Sequence, residues 1–252
     1  MTLQIKLVEN IDQMIELSDF FNMVWADGPD VVSFDLGYAL IHVGGYASLA
    51  YQDDVLVGAS FGAPGIYQGK QILHSHVTAV TQPGVGFELK KHQFHWAKQG
   101  TFAGITWTFD PMVRRNCVFN LEKLGATAIE FLPNFYGTMT DIINAGDESD
   151  RLFAFLPIDA TLGKPIAPKT ENIALTNDAG RPRQSDYDPN LPFAIYLPED
   201  IEALRKSDLA LVKLWRTEVR DLLAKSFERG CEIRQMVDDR KALLVTPTKG
   251  TK

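Results

Sequence analysis

Between an alternating segment and a helical one, the run VTQPGVGFEL (80–89) carries Pro83, Gly84 and Gly86. A strand that turns through small residues into a helix presents unpaired main-chain N–H groups and the positive end of the helix dipole, which suits a phosphate. Small residues also let a ligand approach the main chain closely. A G-x-G pair serves equally well as a plain tight turn, so alone it does not decide. Just upstream, His74 and His76 occupy alternate positions of QILHSHVTAV (71–80) and are expected on one face of a strand. Imidazole titrates near neutral pH, which makes His76 a candidate general base. Hydrogen-bonded histidines lining a half-buried sheet are the other reading, and a metal pair lacks a third ligand at suitable spacing. His92 and His95 fall on the following helix as surface or groove residues, and Glu88 in its first turn complements the dipole.

Further candidates are scattered. Tyr136 in LPNFYG (132–137) carries a hydroxyl that could donate a proton, although an aromatic at a hairpin corner is as readily a packing residue. Trp215, Arg216 and Arg220 lie together on a long helix and read as a core tryptophan with solvated or salt-bridged arginines. Arg114 and Arg115 are candidates for phosphate contacts. Cys117 and Cys231 sit inside patterned elements and read as small buried apolar side chains.

The elements that must position these residues follow from periodicity. TLQIKLV (2–8) alternates as a strand, and Asn10 with Gln13 opens a helix in capping-box spacing that runs to the Gly28-Pro29 break. A short helix is expected over 34–42, then two strands across 46–62 joined at Asp53-Asp54, with APGIYQG as a loop into the 71–80 strand. A helix from Gly84 to Gln99 ends at Gly100 in the left-handed position, and 104–110 is a strand. Asp110-Pro111 supplies an N-cap and first-turn proline for a helix ending at Gly125. Strands at 127–132 and 151–158 flank a long polar connection. Seven of the 13 prolines fall between Pro157 and Pro198, marking a connector with a hairpin at NIALTNDAGRP. A strand at 193–197, a helix from Ser207 to about Arg229 and strands at 231–237 and 241–247 complete the order. The expected fold class is α/β (α+β): a mixed, mostly antiparallel sheet flanked by helices, divided into 1–158, a connector at 159–192 and a small α/β appendage at 193–252.

Composition narrows the function classes. Of the 252 residues, 45% are hydrophobic and 23% charged, as in ordinary globular proteins. A net charge of -7 argues against nonspecific nucleic-acid binding, and no apolar run approaches the roughly 20 residues of a membrane span. The first ten residues, MTLQIKLVEN, lack the charge and apolar pattern of a secretory signal, so the expected location is cytoplasmic.

The element order, TQPGVG (81–86), TWTFDPMVRRNCVFNLEKLGA (106–126), HSH (74–76), LPNFYG, SDR (149–151) and WR-x-x-x-R (215–220) together resemble the GNAT superfamily of acyl-CoA N-acyltransferases. The likeness covers about residues 3–158 and, through the last motifs, most of the chain. In that family a Q/R-x-x-G-x-G/A loop after the fourth strand binds the CoA pyrophosphate. The resemblance therefore implies Thr81, Gln82, Gly84, Val85 and Gly86 as cofactor-binding, with Thr81 at the slot usually filled by Gln or Arg. It implies main-chain groups of Thr78 and Val80 along the acyl arm and Asn116 on the pantetheine side. Leu121 stands where the family usually has its acid tyrosine, which leaves Tyr136 as the candidate acid and His76 as the candidate base. The implied co-substrate is acetyl-CoA or another acyl-CoA, and the implied acceptor is a small or amino-acid-like amine. A homodimer is compatible with this reading. The alternative is a binding or regulatory protein of the same fold with a degenerate CoA site.

Overall fold

The structure is a computed structural model that describes residues 2–25, 31–137, 147–163 and 169–248. The Gly28-Pro29 break and part of the connection between residues 133 and 150 lie outside the described residues. Two compact units divide the chain: residues 1–107 with 157–159, and residues 108–156 with 160–252. The chain passes from the first to the second within one strand, between Trp107 and Thr108, so residues 108–156 group with the C-terminal part and not with the first 107.

The first unit is a sheet in the order β1 (Leu3–Leu7), β2 (Tyr46–Gln52), β3 (Val55–Tyr67), β4 (Lys70–Val80), β5 (Gly104–Phe109). Its first four strands pair antiparallel, and β4 with β5 parallel. Helix α1 (Ile11–Val24) begins at Asn10, whose side chain accepts from the Gln13 N–H at 3.0 Å. Gln13 reaches back to the Glu9 N–H and not to Asn10, so the capping box is displaced by one residue. β3 runs through the expected APGIYQG loop to Tyr67, and the reversal is tightened to Gln68 and Gly69, both at positive φ.

Two apolar clusters flank this sheet. Met14, Leu17, Phe20 and Phe21 of α1 pack with Leu49, Ala59, Phe61 and Ala79, and α2 (Phe34–His42) adds Leu40 and Ile41. Ala50 and Val57 pack with Val85 and Leu89 of α3 (Val85–Lys98). Leu49 and Ala50 are adjacent in one strand, so the clusters lie on opposite faces. Gly58 is where α3 comes nearest: an added Cβ would stand 2.9 Å from a Val85 methyl and 3.0 Å from Leu89. We therefore expect Gly58→Ala to destabilise by about 1–3 kcal/mol through overpacking, read as a lower urea midpoint with an unchanged slope. Gly100 follows α3 without the left-handed conformation expected of it: it is absent from the positive-φ glycines, and its N–H bonds to Ala97.

The second unit has strand order β7 (Arg151–Pro157), β6 (Thr127–Leu132), β11 (Cys231–Val237), β12 (Ala242–Pro247), β10 (Phe193–Tyr196), β8 (Ile173–Asp178), β9 (Arg181–Gln184). β8 and β9 form the hairpin expected in the connector, and β8 pairs parallel with β10. The expected 111–124 helix is shorter: α4 spans Arg114–Cys117 and continues as a wider, π-helical stretch from Val118 to Lys123. Asp110 does not cap it as expected. Its carboxylate accepts from the Met112 N–H at 2.9 Å and binds Arg205 at 2.6 Å, which holds 111–112 as a turn. The C-terminal helix is two helices, α5 (Ile201–Ser207), capped by Asp200, and α6 (Leu209–Glu228), capped by Asp208. Trp215 is fully buried and donates to the Gly180 carbonyl at 2.9 Å. Both cysteines are buried and free.

Candidate functional site

The parallel ladder between β4 and β5 is short. It runs Ile72↔Gly104, Leu73↔Ile105, His74↔Thr106 and stops there, while β4 continues for six more residues to Val80. The two strands form a fork in which Ser75 and Trp107 are the first residues beyond the zipped segment.

Along the open stretch β4 keeps its other partner, β3. The Thr81 N–H donates to the Val57 carbonyl at 2.9 Å, and Gly58↔Val80 and Ser60↔Thr78 are register pairs. Main-chain groups of an antiparallel strand alternate between its two edges, so those of Val80 and Thr78 point away from β3, toward the edge that β5 leaves uncovered. Between Val77↔Phe61 and Ser75↔Gly62 the register shifts, which makes His76 the extra residue of a bulge. The simple alternation expected for His74 and His76 is therefore interrupted, although their ring centroids remain 6.5 Å apart. His76 is exposed overall, yet the surroundings that partly cover its ring lower its pKa against a hydrogen bond with the Val31 main chain.

The strand then turns into α3 through Thr81, Gln82, Pro83 and Gly84, all exposed. Gly84 is the N-cap, in the left-handed region at φ +88°, and a Cβ there would meet nothing within 4 Å. The first N–H groups of a helix lack carbonyl partners one turn back. The Phe87 N–H reaches the Gly84 carbonyl at 3.2 Å, while Val85 and Gly86 are left at the open start. The Val85 side chain is buried in the α3 cluster, so it offers a ligand its N–H alone, and Gly86 is half-buried with a Cβ position 3.8 Å from Val80. Thr78 is half-buried and its hydroxyl pairs with Ser60 at 2.9 Å. Thus Thr78, Val80, Thr81, Gln82, Gly84, Val85 and Gly86 form one continuous edge and turn, with His76 at the bulge before it.

Sequence reasoning missed Lys90. Its Nζ lies 2.6 Å from the Ser75 hydroxyl and 4.8 Å from the centre of the Trp107 ring, at the apex of the fork. The side chain is half-buried, and desolvation lowers its pKa from 10.5 to about 7. His74, hydrogen-bonded to the Thr106 hydroxyl at 3.0 Å, is pushed down to about 4 by burial first, then by His76 and Lys90. The folded-state value of Lys90 lies below the unfolded one, so folding releases a proton between about pH 7 and 10.5. Stability contributed by this group rises with pH across that window, and the full penalty stands below it. Lys90→Met should accordingly add roughly 1–3 kcal/mol near neutral pH, with the advantage fading toward pH 10.5 in a urea-denaturation series.

Asn116 and Tyr136 belong to the second unit. Asn116 is half-buried on α4. Tyr136 is 45% exposed, its hydroxyl 3.1 Å from Thr108 and its ring 5.4 Å from the Arg151 guanidinium. Its segment is clasped by SDR: the Asn134 N–H donates to Asp150 and the Tyr136 N–H to Ser149. Leu121 is fully buried. Arg114 and Arg115 are engaged elsewhere than on a phosphate: Arg114 bonds the Leu197 carbonyl and Arg115 pairs with Glu202.

Of the two states expected for the α6 arginines, solvated or salt-bridged, the structure shows the salt-bridged one. Arg205 and Arg216 are buried with Asp110, Asp147 and Asp150 in one ion network. Asp147 receives Arg216 at 2.5 Å and Arg205 at 3.0 Å, and Arg220 at its edge pairs with Glu148 and, at 2.8 Å, with Asp150. Every cation there has an acidic partner, which marks a structural device.

No three His, Cys, Asp or Glu side chains gather as a metal site among the described residues, and no helix among them is long and apolar enough to cross a membrane. In the first unit, a cavity of about 240 Å³ lined by Tyr38, Tyr46 and Trp96 falls below the roughly 300 Å³ at which ligand pockets usually begin.

No protein-family model matches the sequence, and no curated protein matches it. Solved structures do match. YncA, a putative acetyltransferase from Salmonella typhimurium determined with its cofactor acetyl-CoA, is 14% identical, with a TM-score of 0.50 over 66% of this chain and 100% of its own. An acetyltransferase of the GNAT family from Streptococcus pneumoniae is 15% identical, with a TM-score of 0.49 over 62% of this chain and 99% of its own. With its forked sheet and the glycine turn at the end of β4, the chain shares the fold of that putative acetyltransferase.

Proposed function

We propose that the chain is an acyl-CoA-dependent N-acyltransferase acting on a small, amino-acid-like primary amine. The observation that carries this reading is the fork: β4 runs six residues beyond its last pair with β5 and delivers an open main-chain edge to the exposed helix start at Gly84. The fold it shares with a putative acetyltransferase determined with acetyl-CoA supports the same co-substrate. In this reading the N–H groups of Val85 and Gly86 receive the pyrophosphate at the positive end of α3. The outward main-chain groups of Thr78 and Val80 align the arm. Chemistry then comes mainly from holding thioester and amine together, with the amine attacking the carbonyl directly. His76 accepts the proton, its lowered pKa keeping it neutral at physiological pH.

Isothermal titration with acetyl-CoA and succinyl-CoA tests this. Micromolar binding is the expected result, followed by acyl transfer to a panel of small amines. Absence of heat at millimolar ligand removes the enzymatic reading and leaves the binding or regulatory one.

A further inference from the structure

Lys90 is placed unlike an ordinary helix lysine. It projects from α3 onto the fork apex, where Ser75 and Trp107 follow the last β4–β5 pair. No carboxylate pairs with it among the described residues. The nearest acid on its own helix, Glu88, is occupied by Lys91 at 2.6 Å, and the groups facing Lys90 from β4 and β5 are Ser75, His74 and Trp107. The ammonium there has a hydroxyl and an aromatic face for partners and, being half-buried, less water than an exposed lysine, and this desolvation outweighs the attraction of the ring and lowers its pKa. An amine in such surroundings is a nucleophile in waiting.

Its distance from the turn suits a thioester. From Ser75 to Val80 is five strand residues, or roughly 17 Å, comparable to an extended pantetheine arm anchored by its phosphates at Gly84. The reactive end of such an arm would therefore lie near Ser75.

We propose that Lys90 is itself an acyl acceptor, so that a thioester lying along the open edge of β4 converts it to an N-acyl-lysine at the fork apex. The proposal rests on the acyl-CoA reading above. The Nζ lone pair attacks the thioester carbonyl, a C–N bond forms and the C–S bond breaks. CoA leaves as the thiolate and takes up the proton lost by the nitrogen, with the Ser75 hydroxyl in position to relay it. The product lysine is uncharged, which removes the penalty of holding an ammonium there.

The experiment is incubation of the full chain with acetyl-CoA, then intact mass and peptide mapping, with binding followed in parallel by calorimetry. A second arm uses S-acetyl-N-acetylcysteamine, a thioester without the nucleotide. The expected result is addition of one acetyl group at Lys90 at least about tenfold faster than at Lys91, competed by free CoA and lost in Lys90→Arg. Should the guanidinium disturb packing, Lys90→Met is the substitute, and mapping of the unaltered protein needs neither variant. Acetyl-CoA that binds while Lys90 gains acetyl no faster than Lys91 overturns the proposal. If acetyl-CoA does not bind, the acyl-CoA reading has failed, and the second arm decides alone: preferential labelling of Lys90 sustains the acceptor, labelling led by exposed lysines removes it.

Discussion

Arg216→Met should lower the unfolding free energy by about 3–5 kcal/mol, the cost of leaving buried carboxylates without their partner. Arg216 binds Asp147 through two nitrogens, at 2.8 and 2.5 Å, and reaches Asp110 and Asp150 at 3.5 and 3.3 Å. Its removal leaves Arg205 still paired with Asp147 and Asp110. Burial alone would raise the Asp147 pKa, but Arg216 and then Arg205 hold it below 3.8. A carboxylate lowered in the folded state stabilises above its unfolded value and loses that contribution as pH falls through the lower folded value. Wild type should therefore keep the full benefit at neutral pH and lose it progressively below about pH 4. Thermal and urea unfolding of both proteins from acid to neutral pH checks each part. Equal stability of the variant at neutral pH would show the network to be worth no more than its desolvation.

Gly84→Val should weaken acetyl-CoA binding by at least about a hundredfold, near 3 kcal/mol. The added side chain meets no neighbour, so the fold itself is asked only to bear a β-branched residue at φ +88°, a strain of about 1–2 kcal/mol. Its branches would stand over the first N–H groups of α3, where the proposed phosphates sit. Far-ultraviolet circular dichroism separates loss of fold from loss of site, and calorimetry reads the affinity. Unchanged affinity in a folded variant would move the phosphates away from this turn.

The strand, turn and helix around Gly84 were legible because glycine and proline punctuate sharply and the period changes from two to near four across them. The bulge at His76 was not, since an extra residue leaves an apolar run of QILHSHVTAV looking regular. Lys90 carried a signal that went unread. It is spaced three and seven residues from Gln93 and Ala97, both fully buried, which puts a charged residue in the buried stripe of α3. The first turn expected at Pro111 is missing for a longer-range reason: Asp110 is claimed by Arg205, 95 residues away. No local pattern announces such a partner. Arg216 and Arg220 are four residues apart and share a face, but that the face is buried depends on Asp147 and Asp150, far off in sequence.

The supernumerary residue of β4 gives the fold an unusual freedom. Its neighbours answer to the sheet: Ser75 and Val77 each have a cross-strand partner and a prescribed side. Position 76 has no cross-strand partner, its ring bonding instead to the Val31 main chain, so a new side chain there displaces no register. In a lineage exploring acceptors, this is the place where reactivity can drift while the architecture stays put.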